Sequence, residues 1–404
     1  MQIRKNFPLL KNKISNKQII YFDNSATTQK PQIVIDAVTD FYENKNSNVH
    51  RSINPLAEIA TREYEAARIA VRKFINAKKN NEIIFTSGAT DGLNLVANIL
   101  GKGVLKKDDV IVLSMAEHHA NIIPWLMLKE AIGIKLEYIQ IQKNYRLDIG
   151  QVKRILNNKK VRVLSIQHAS NVLGIINPIK DLINICKKNN IISIIDAAAS
   201  IAHTKINVQS LDCDFLVFSG HKIFAPTGVG VLYGKEDLLN RLPAWKGGGD
   251  MIREVSFEGF SVAELPYKFE AGTPHIAGVI GLGRALEFLE SMGFKYIKQQ
   301  ELILTRYFLK AISKLNFIDL VGPFNIQDRL PIFSFSVQGV HPHDIADLLG
   351  ERGIITRAGH HCVQPLHDKL SLPATLRASL SFYNTTEEID IFVKEIIKIH
   401  KMFI

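Results

Sequence analysis

The chain has 404 residues, 46% of them hydrophobic and 22% charged, which is enough for about two to three domains with buried cores and too apolar for global disorder. Its formal charge of +11, from 50 Lys and Arg against 39 Asp and Glu, is interspersed with acidic residues and forms no Lys/Arg block alternating with aromatics, so no nucleic-acid partner is expected. No apolar run approaches the roughly 18 residues of a membrane span, the first residues do not read as a secretory signal, and Cys186, Cys213 and Cys362 are too few and too far apart for a disulfide framework or a zinc site, so a reducing, cytoplasmic location is expected.

Helical spacing appears first, after Pro31, with Val34, Ala37, Val38 and Phe41 on one face, and again from Pro55 with Leu56, Ala60, Tyr64, Ala67, Val71 and Phe74. From Glu82 to about Gly234 short apolar runs alternate with helical segments. The predicted strands are 83–85, 110–113, 136–141, 161–166, 191–195, 215–218 and 229–233. Most are continuous Ile/Val/Leu runs without alternation, as expected of strands covered on both faces, which predicts a large, mainly parallel α/β sheet. After Gly272 the pattern predicts helices over 276–292 and 296–315, a strand over 332–337, a helix over 343–349 and a strand over 376–382. A last helix follows, announced by the capping box of Thr385 and Glu388. With no tether in the sequence, the expected organisation is a large domain over 18–272 and a smaller α+β domain built from 1–17 and 273–404.

In open α/β sheets, ligands bind at the carboxyl ends of the strands. Five predicted strands end in polar clusters. Thr86-Ser87-Gly88-Ala89-Thr90 feeds a helix whose free amides suit a phosphate, although plain capping is as common. Glu117-His118-His119 follows the second strand, and two adjacent histidines cannot both face one ligand. His168-Ala169-Ser170-Asn171 and Asp196 end two more strands; a buried Asp needs a cation or hydrogen-bond donors, although a plain helix N-cap fits Asp196 equally well. Ser219-Gly220-His221-Lys222 ends another, and a Lys at the end of a core strand is a candidate amine nucleophile for a Schiff base.

Together, Ser219-Gly220-His221-Lys222, Asp196, Glu117-His118 and the Thr90 turn resemble the cofactor site of fold-type I pyridoxal-phosphate enzymes, class V aminotransferase branch. Arg357-Ala358-Gly359-His360-His361-Cys362 resembles the active-site cysteine loop of SUF-type cysteine desulfurases, a group that includes selenocysteine lyases. The similarity runs from Tyr21-Phe22-Asp23-Asn24-Ser25-Ala26 through Glu270-Ala271-Gly272-Thr273-Pro274 to Arg377-Ala378-Ser379.

The resemblance implies a fold-type I transferase whose seven-stranded domain binds pyridoxal 5'-phosphate through Lys222. Asp196 is expected at the pyridinium nitrogen, and His118 stacked on the ring with His119 in support. Thr90, Ser219 and His221 are expected at the phosphate, with Thr273 reaching it from the other subunit of a homodimer. Arg377, helped by Asn171, is expected to clamp the substrate carboxylate. Cys362 is the expected nucleophile toward L-cysteine or L-selenocysteine, with Arg357, His360 and His361 as candidate positive neighbours. The short cysteine loop implies transfer to a SufE-type carrier and a SUF scaffold for iron–sulfur cluster assembly, and the stretch from Gly247 to Glu264 matches that branch's hairpin. The chain departs from the pattern at Ala199, where many relatives carry a Gln that bonds the cofactor's phenolic oxygen, and at Ala358 and Val363 beside the nucleophile. Ala199 leaves a second reading open, an impaired member acting as a sulfur-transfer partner or scaffold.

Overall fold

The computed structural model describes residues 3–14, 16–50 and 53–404, so Met1, Gln2 and Ser15 of the expected N-terminal segment lie outside the described residues. Seven strands, β1 (Ile83–Thr86), β2 (Val110–Ser114), β3 (Lys135–Ile139), β4 (Val161–Gln167), β5 (Ile192–Asp196), β6 (Phe215–Ser219) and β7 (Gly230–Gly234), form one sheet in the order β1-β7-β6-β5-β4-β2-β3. All neighbours run parallel except β7, which is antiparallel to both β1 and β6. The apolar runs read from the sequence are these strands within one or two residues. The third ends at Ile139 rather than 141, where an isolated bridge from Ile141 to Leu147 replaces it. β2, β5, β6 and β7 are buried along nearly their whole length, because helices cover both faces.

One face packs under the helices Gln32–Asp40, Pro55–Phe74 and Ile276–Met292, whose apolar stripe includes Tyr64, Val71, Val279 and Leu286. The other is covered by Ala89–Gly103 and Ile123–Ile132, with Leu93, Val96 and Trp125 inside.

A second sheet follows late in the chain. Strands β8 (Ile318–Val321), β9 (Ile332–Val337), β10 (Arg357–Gly359) and β11 (Thr375–Ser379) form an antiparallel sheet in the order β8-β9-β11-β10. Its apolar side packs on the helices Phe294–Ile312 and Thr386–Phe403 through Phe308, Phe333, Phe335 and Phe392. The last helix carries the capping box read from the sequence, Thr385 accepting from the Glu388 amide and Glu388 from the Thr385 amide. Early chain reaches the edge of this sheet: Ile20–Tyr21 pairs in parallel with Ile354–Ile355 as a separate two-stranded sheet, and Asp23 bridges Ser379 of β11. Residues 22–25 are thereby carried to the edge of the site described next. A hairpin, Ile252–Val255 with Phe260–Val262, exposes Val255, Phe257 and Phe260. Among the described residues, no helix is long and apolar enough to cross a membrane.

Candidate active site

The carboxyl ends of β4, β5 and β6, the turns that follow β1 and β2, and residues of the second sheet meet at one cavity of about 160 Å³. Lys222, Cys362, His118, Asp196, Thr90, Ser219, His221, Asn171 and Arg377, all singled out in the sequence, line it, as do Arg357 and His361. Thr273 does not; it lies in a separate groove with Tyr64, Phe85, Trp245 and Glu270. Ala199 faces the cavity, so the departure from the family pattern falls inside the site.

At one end, the helix Ala89–Gly103 points its N-terminus at the cavity. Its first backbone bond of the i to i−4 type is Gly92 N–H to Gly88 O, which leaves three earlier amides without helical partners. Ser219 Oγ accepts the Ala89 amide at 2.8 Å, so its hydroxyl proton is free for a ligand, and Thr90 and His221 complete the rim. The turn can sit this deep because β7 offers a glycine: a Cβ on Gly230 would stand 2.5 Å from Gly88 Cα. Burial, and next the Lys222 and Lys30 cations, hold His221 neutral with its pKa down to about 4. Amides, a hydroxyl and a positive helix end suit a phosphate dianion.

Lys222 is the central amine. Burial pulls its pKa down, with Arg377 and Arg357 acting the same way and Asp196 opposing. Asp196 accepts the Ala198 amide at 2.9 Å; burial raises its pKa and Lys222 lowers it. His118 is held neutral, its pKa down to about 3, by burial first and then by Lys222. Its Nδ1 accepts the Ala120 amide at 3.1 Å, so the ring proton resides on Nε2.

Glu117 was quoted in the sequence without a role. It is fully enclosed and accepts from the Gln167 amide at 2.8 Å, Asn121 Nδ2 at 2.7 Å and Ser114 Oγ at 2.5 Å. It ties the ends of β2 and β4 together. Gln167, also unanticipated, lines the cavity with its Nε2 donating to Ala116 O.

The cysteine loop is shorter than its sequence span implies, since 357–359 is β10 and the helix Gln364–Lys369 begins two residues after Cys362. His361 and Cys362 have φ of +52° and +59°, the left-handed region that non-glycine residues seldom adopt. Val363 is buried with Ala116, Val172 and Leu366, so the departure from the family pattern at this position sits in apolar packing beside Cys362. The expected charge of His361 is corrected: burial and Arg377 hold its pKa near 2, and its Nε2 bonds Thr375 O, so it is a neutral ring. Arg357 and Arg377 remain as cations lining the cavity beside Cys362. Cys186 and Cys213 are buried, their thiols pushed up to about 12, and play no part here.

Arg377 is no surface residue. It is 2% exposed, donates to Asp23 Oδ1 at 3.1 Å and to Asn171 O at 3.2 Å, and its Nε has no partner. Asn171 is more committed than expected, because its Nδ2 donates to His361 O at 2.8 Å; its buried Oδ1 is unpartnered. The carbonyl at His361 fixes that amide's orientation. Unpaired Arg377 Nε, Asn171 Oδ1 and His361 Nδ1 around one cavity mark a place built for a polar ligand.

The family model for aminotransferase class-V matches residues 20–392. The chain belongs to the class-V aminotransferase family. The probable cysteine desulfurase of Halalkalibacterium halodurans is 44% identical over 402 residues, covering 100% of this chain and 98% of that protein. The cysteine desulfurase of Wigglesworthia glossinidia brevipalpis is 42% identical, covering 99% and 97%. Among solved structures, the apo cysteine desulfurase of Thermococcus onnurineus NA1 superposes with a TM-score of 0.94 at 38% identity, covering 99% and 98%. The cysteine desulfurase CsdA of Escherichia coli does so at 0.91 and 37%, covering 100% and 98%. This class-V aminotransferase family has the fold-type I architecture and uses pyridoxal phosphate. The residues present fit that group: an amine with a lowered pKa for the aldehyde, a buried carboxylate for the ring nitrogen, and an open helix N-terminus with Ser219 for the phosphate.

Proposed function

We propose that the chain is a cysteine desulfurase, converting L-cysteine to L-alanine and retaining the sulfur as a persulfide on Cys362. The observation that carries this reading is that Lys222, Cys362 and Arg377 share one cavity. Pyridoxal phosphate, once bound, supplies the aldehyde that captures the substrate amine and the ring that accepts the electron pair released at Cα.

The residues divide the remaining work. Thr90, Ser219 and His221 would hold the phosphate, Asp196 the ring nitrogen, and neutral His118 would pack against the ring. Arg377 receives the substrate carboxylate through the guanidinium face that Asp23 and Asn171 leave free. Lys222, with its lowered pKa, moves the proton taken from Cα. The Cys362 thiolate attacks the substrate sulfur; an S–S bond forms, the Cβ–S bond breaks, and its electron pair stays on carbon, where protonation completes alanine. Asp196 and His118 keep their places although Ala199 offers no side-chain bond, a loss of on the order of 1 kcal/mol. With every reactive group present, catalysis is a better account than a scaffold.

The same reading covers selenocysteine lyase activity, a homodimer in which Thr273 reaches the partner's phosphate site, and cytoplasmic transfer of sulfur to a SufE-like carrier and the SUF scaffold for iron–sulfur cluster assembly. The exposed apolar hairpin around Phe257 and the position of Thr273 outside its own cavity support the dimer. The test is alanine and persulfide formation from L-cysteine by the pyridoxal-phosphate-loaded protein. Cys362→Ala should lose alanine formation from cysteine and keep it from selenocysteine; unchanged turnover of cysteine would remove Cys362 from the reaction.

A further inference from the structure

The nucleophile's loop is bracketed by the histidine next to the ring-facing one. His119 N–H donates to Cys362 O at 2.8 Å, and the Gln364 amide donates to His119 Nε2 at 3.0 Å. A single residue in the turn after β2 thus grips the backbone on both sides of Val363, whose side chain is buried. Asn171 Nδ2 adds a third tie to His361 O. Between these ties, His361 and Cys362 hold positive φ, a conformation that costs of order 1–3 kcal/mol each and persists only where the surroundings impose it.

We propose that His119 is a positioning residue for Cys362, fixing the thiol of the nucleophile against the groups that act on the substrate's Cα. The proposal rests on the desulfurase reading above. The bracket joins two parts of the molecule that carry different halves of the reaction: β2 and its turn hold His118, while the loop between β10 and the helix Gln364–Lys369 holds the sulfur. The backbone half of the bracket survives any substitution of His119. The side-chain half needs an acceptor at the Nε2 position, which requires the neutral ring with its proton on Nδ1. Glutamine places a carbonyl oxygen at nearly that reach; leucine has similar bulk and no acceptor.

The experiment compares wild type, His119→Leu and His119→Gln as pyridoxal-phosphate-loaded proteins. It measures kcat and KM for alanine formation from L-cysteine, together with the rate at which iodoacetamide alkylates Cys362, followed by mass spectrometry. The cofactor's visible band reports an intact site in each. Expected for His119→Leu are an unchanged band, a KM within about two-fold, kcat lowered about ten-fold or more, and a several-fold change in Cys362 alkylation; His119→Gln should return both rates to within about three-fold of wild type. A kcat in His119→Leu equal to wild type, a loss confined to KM, or a glutamine variant as slow as leucine would overturn the proposal. If wild type makes no alanine, the desulfurase reading fails by itself, and equal alkylation rates in the three proteins would then overturn the bracket separately.

Discussion

Arg377, 2% exposed, donates to Asp23 Oδ1 at 3.1 Å, joining β11 to the segment that follows Ile20–Tyr21. Removing one member of a buried pair leaves an uncompensated charge, which costs about 3–5 kcal/mol. Asp23, however, is partly exposed, and burial raises its pKa against the pull of Arg377, so Asp23→Asn, which keeps the shape and removes the charge, should lower unfolding stability by only about 1–2 kcal/mol in urea titration. A variant as stable as wild type would mean that Asp23 contributes no compensating charge.

Gly230 is the position where the sheet meets the turn before Ala89, proposed above to hold the phosphate. Gly230→Ala would press a methyl within 2.5–2.9 Å of three Gly88 backbone atoms, so the turn before Ala89 must shift. Pyridoxal-phosphate affinity, read by absorbance titration, should fall about ten-fold or more, since a 1.4 kcal/mol loss already gives that factor.

Glu117 sets a pH dependence of stability. Burial raises its pKa from 4.5 to about 8, ahead of the hydrogen bonds that lower it, with the Asp196 charge adding to the rise. The folded state therefore holds a proton that the unfolded state releases between these values. The stabilisation is complete below pH 4.5 and is lost as pH rises through 8, by up to about 5 kcal/mol. Glu117→Gln cannot titrate, so its urea midpoint should fall less between pH 5 and 9 than that of wild type. Parallel curves would show that Glu117 titrates normally.

The opposite limb belongs to buried histidines. Burial lowers His168 from 6.5 to about 4, so it stays neutral in the fold and protonates first in the unfolded chain. Stability is complete above pH 6.5 and falls as pH drops toward 4. His168→Asn, which lies outside the cavity lining, should flatten the fall of the urea midpoint between pH 6.5 and 4 relative to wild type. An unaltered slope would assign the acid sensitivity to other groups.

The large sheet was readable because its strands are unbroken Ile/Val/Leu runs, and burial on both faces is what such runs are for. The positions of Lys222, Asp196 and His118 followed from polar clusters closing those runs. Neither Asp23 as the partner of Arg377 nor Gln167 as a cavity group was readable. Asp23 lies far from Arg377 in sequence, and Gln167 is one polar residue ending an apolar run like many others. Glu117 and His119 stood in the quoted motifs, but their partners, Gln167 and the cysteine loop, are distant in the chain.

By itself the sequence determined local chemistry and pattern: which strands are doubly covered, where a helix starts on a phosphate-suited turn, which Lys and which Cys stand apart from the core. Only the tertiary structure decided which charges survive. Whether His361 is a cation, whether Arg377 meets a carboxylate and which way His119 turns depend on burial and on neighbours brought from elsewhere in the chain. Desolvation and pairing are properties of the packed site, and no residue carries them alone.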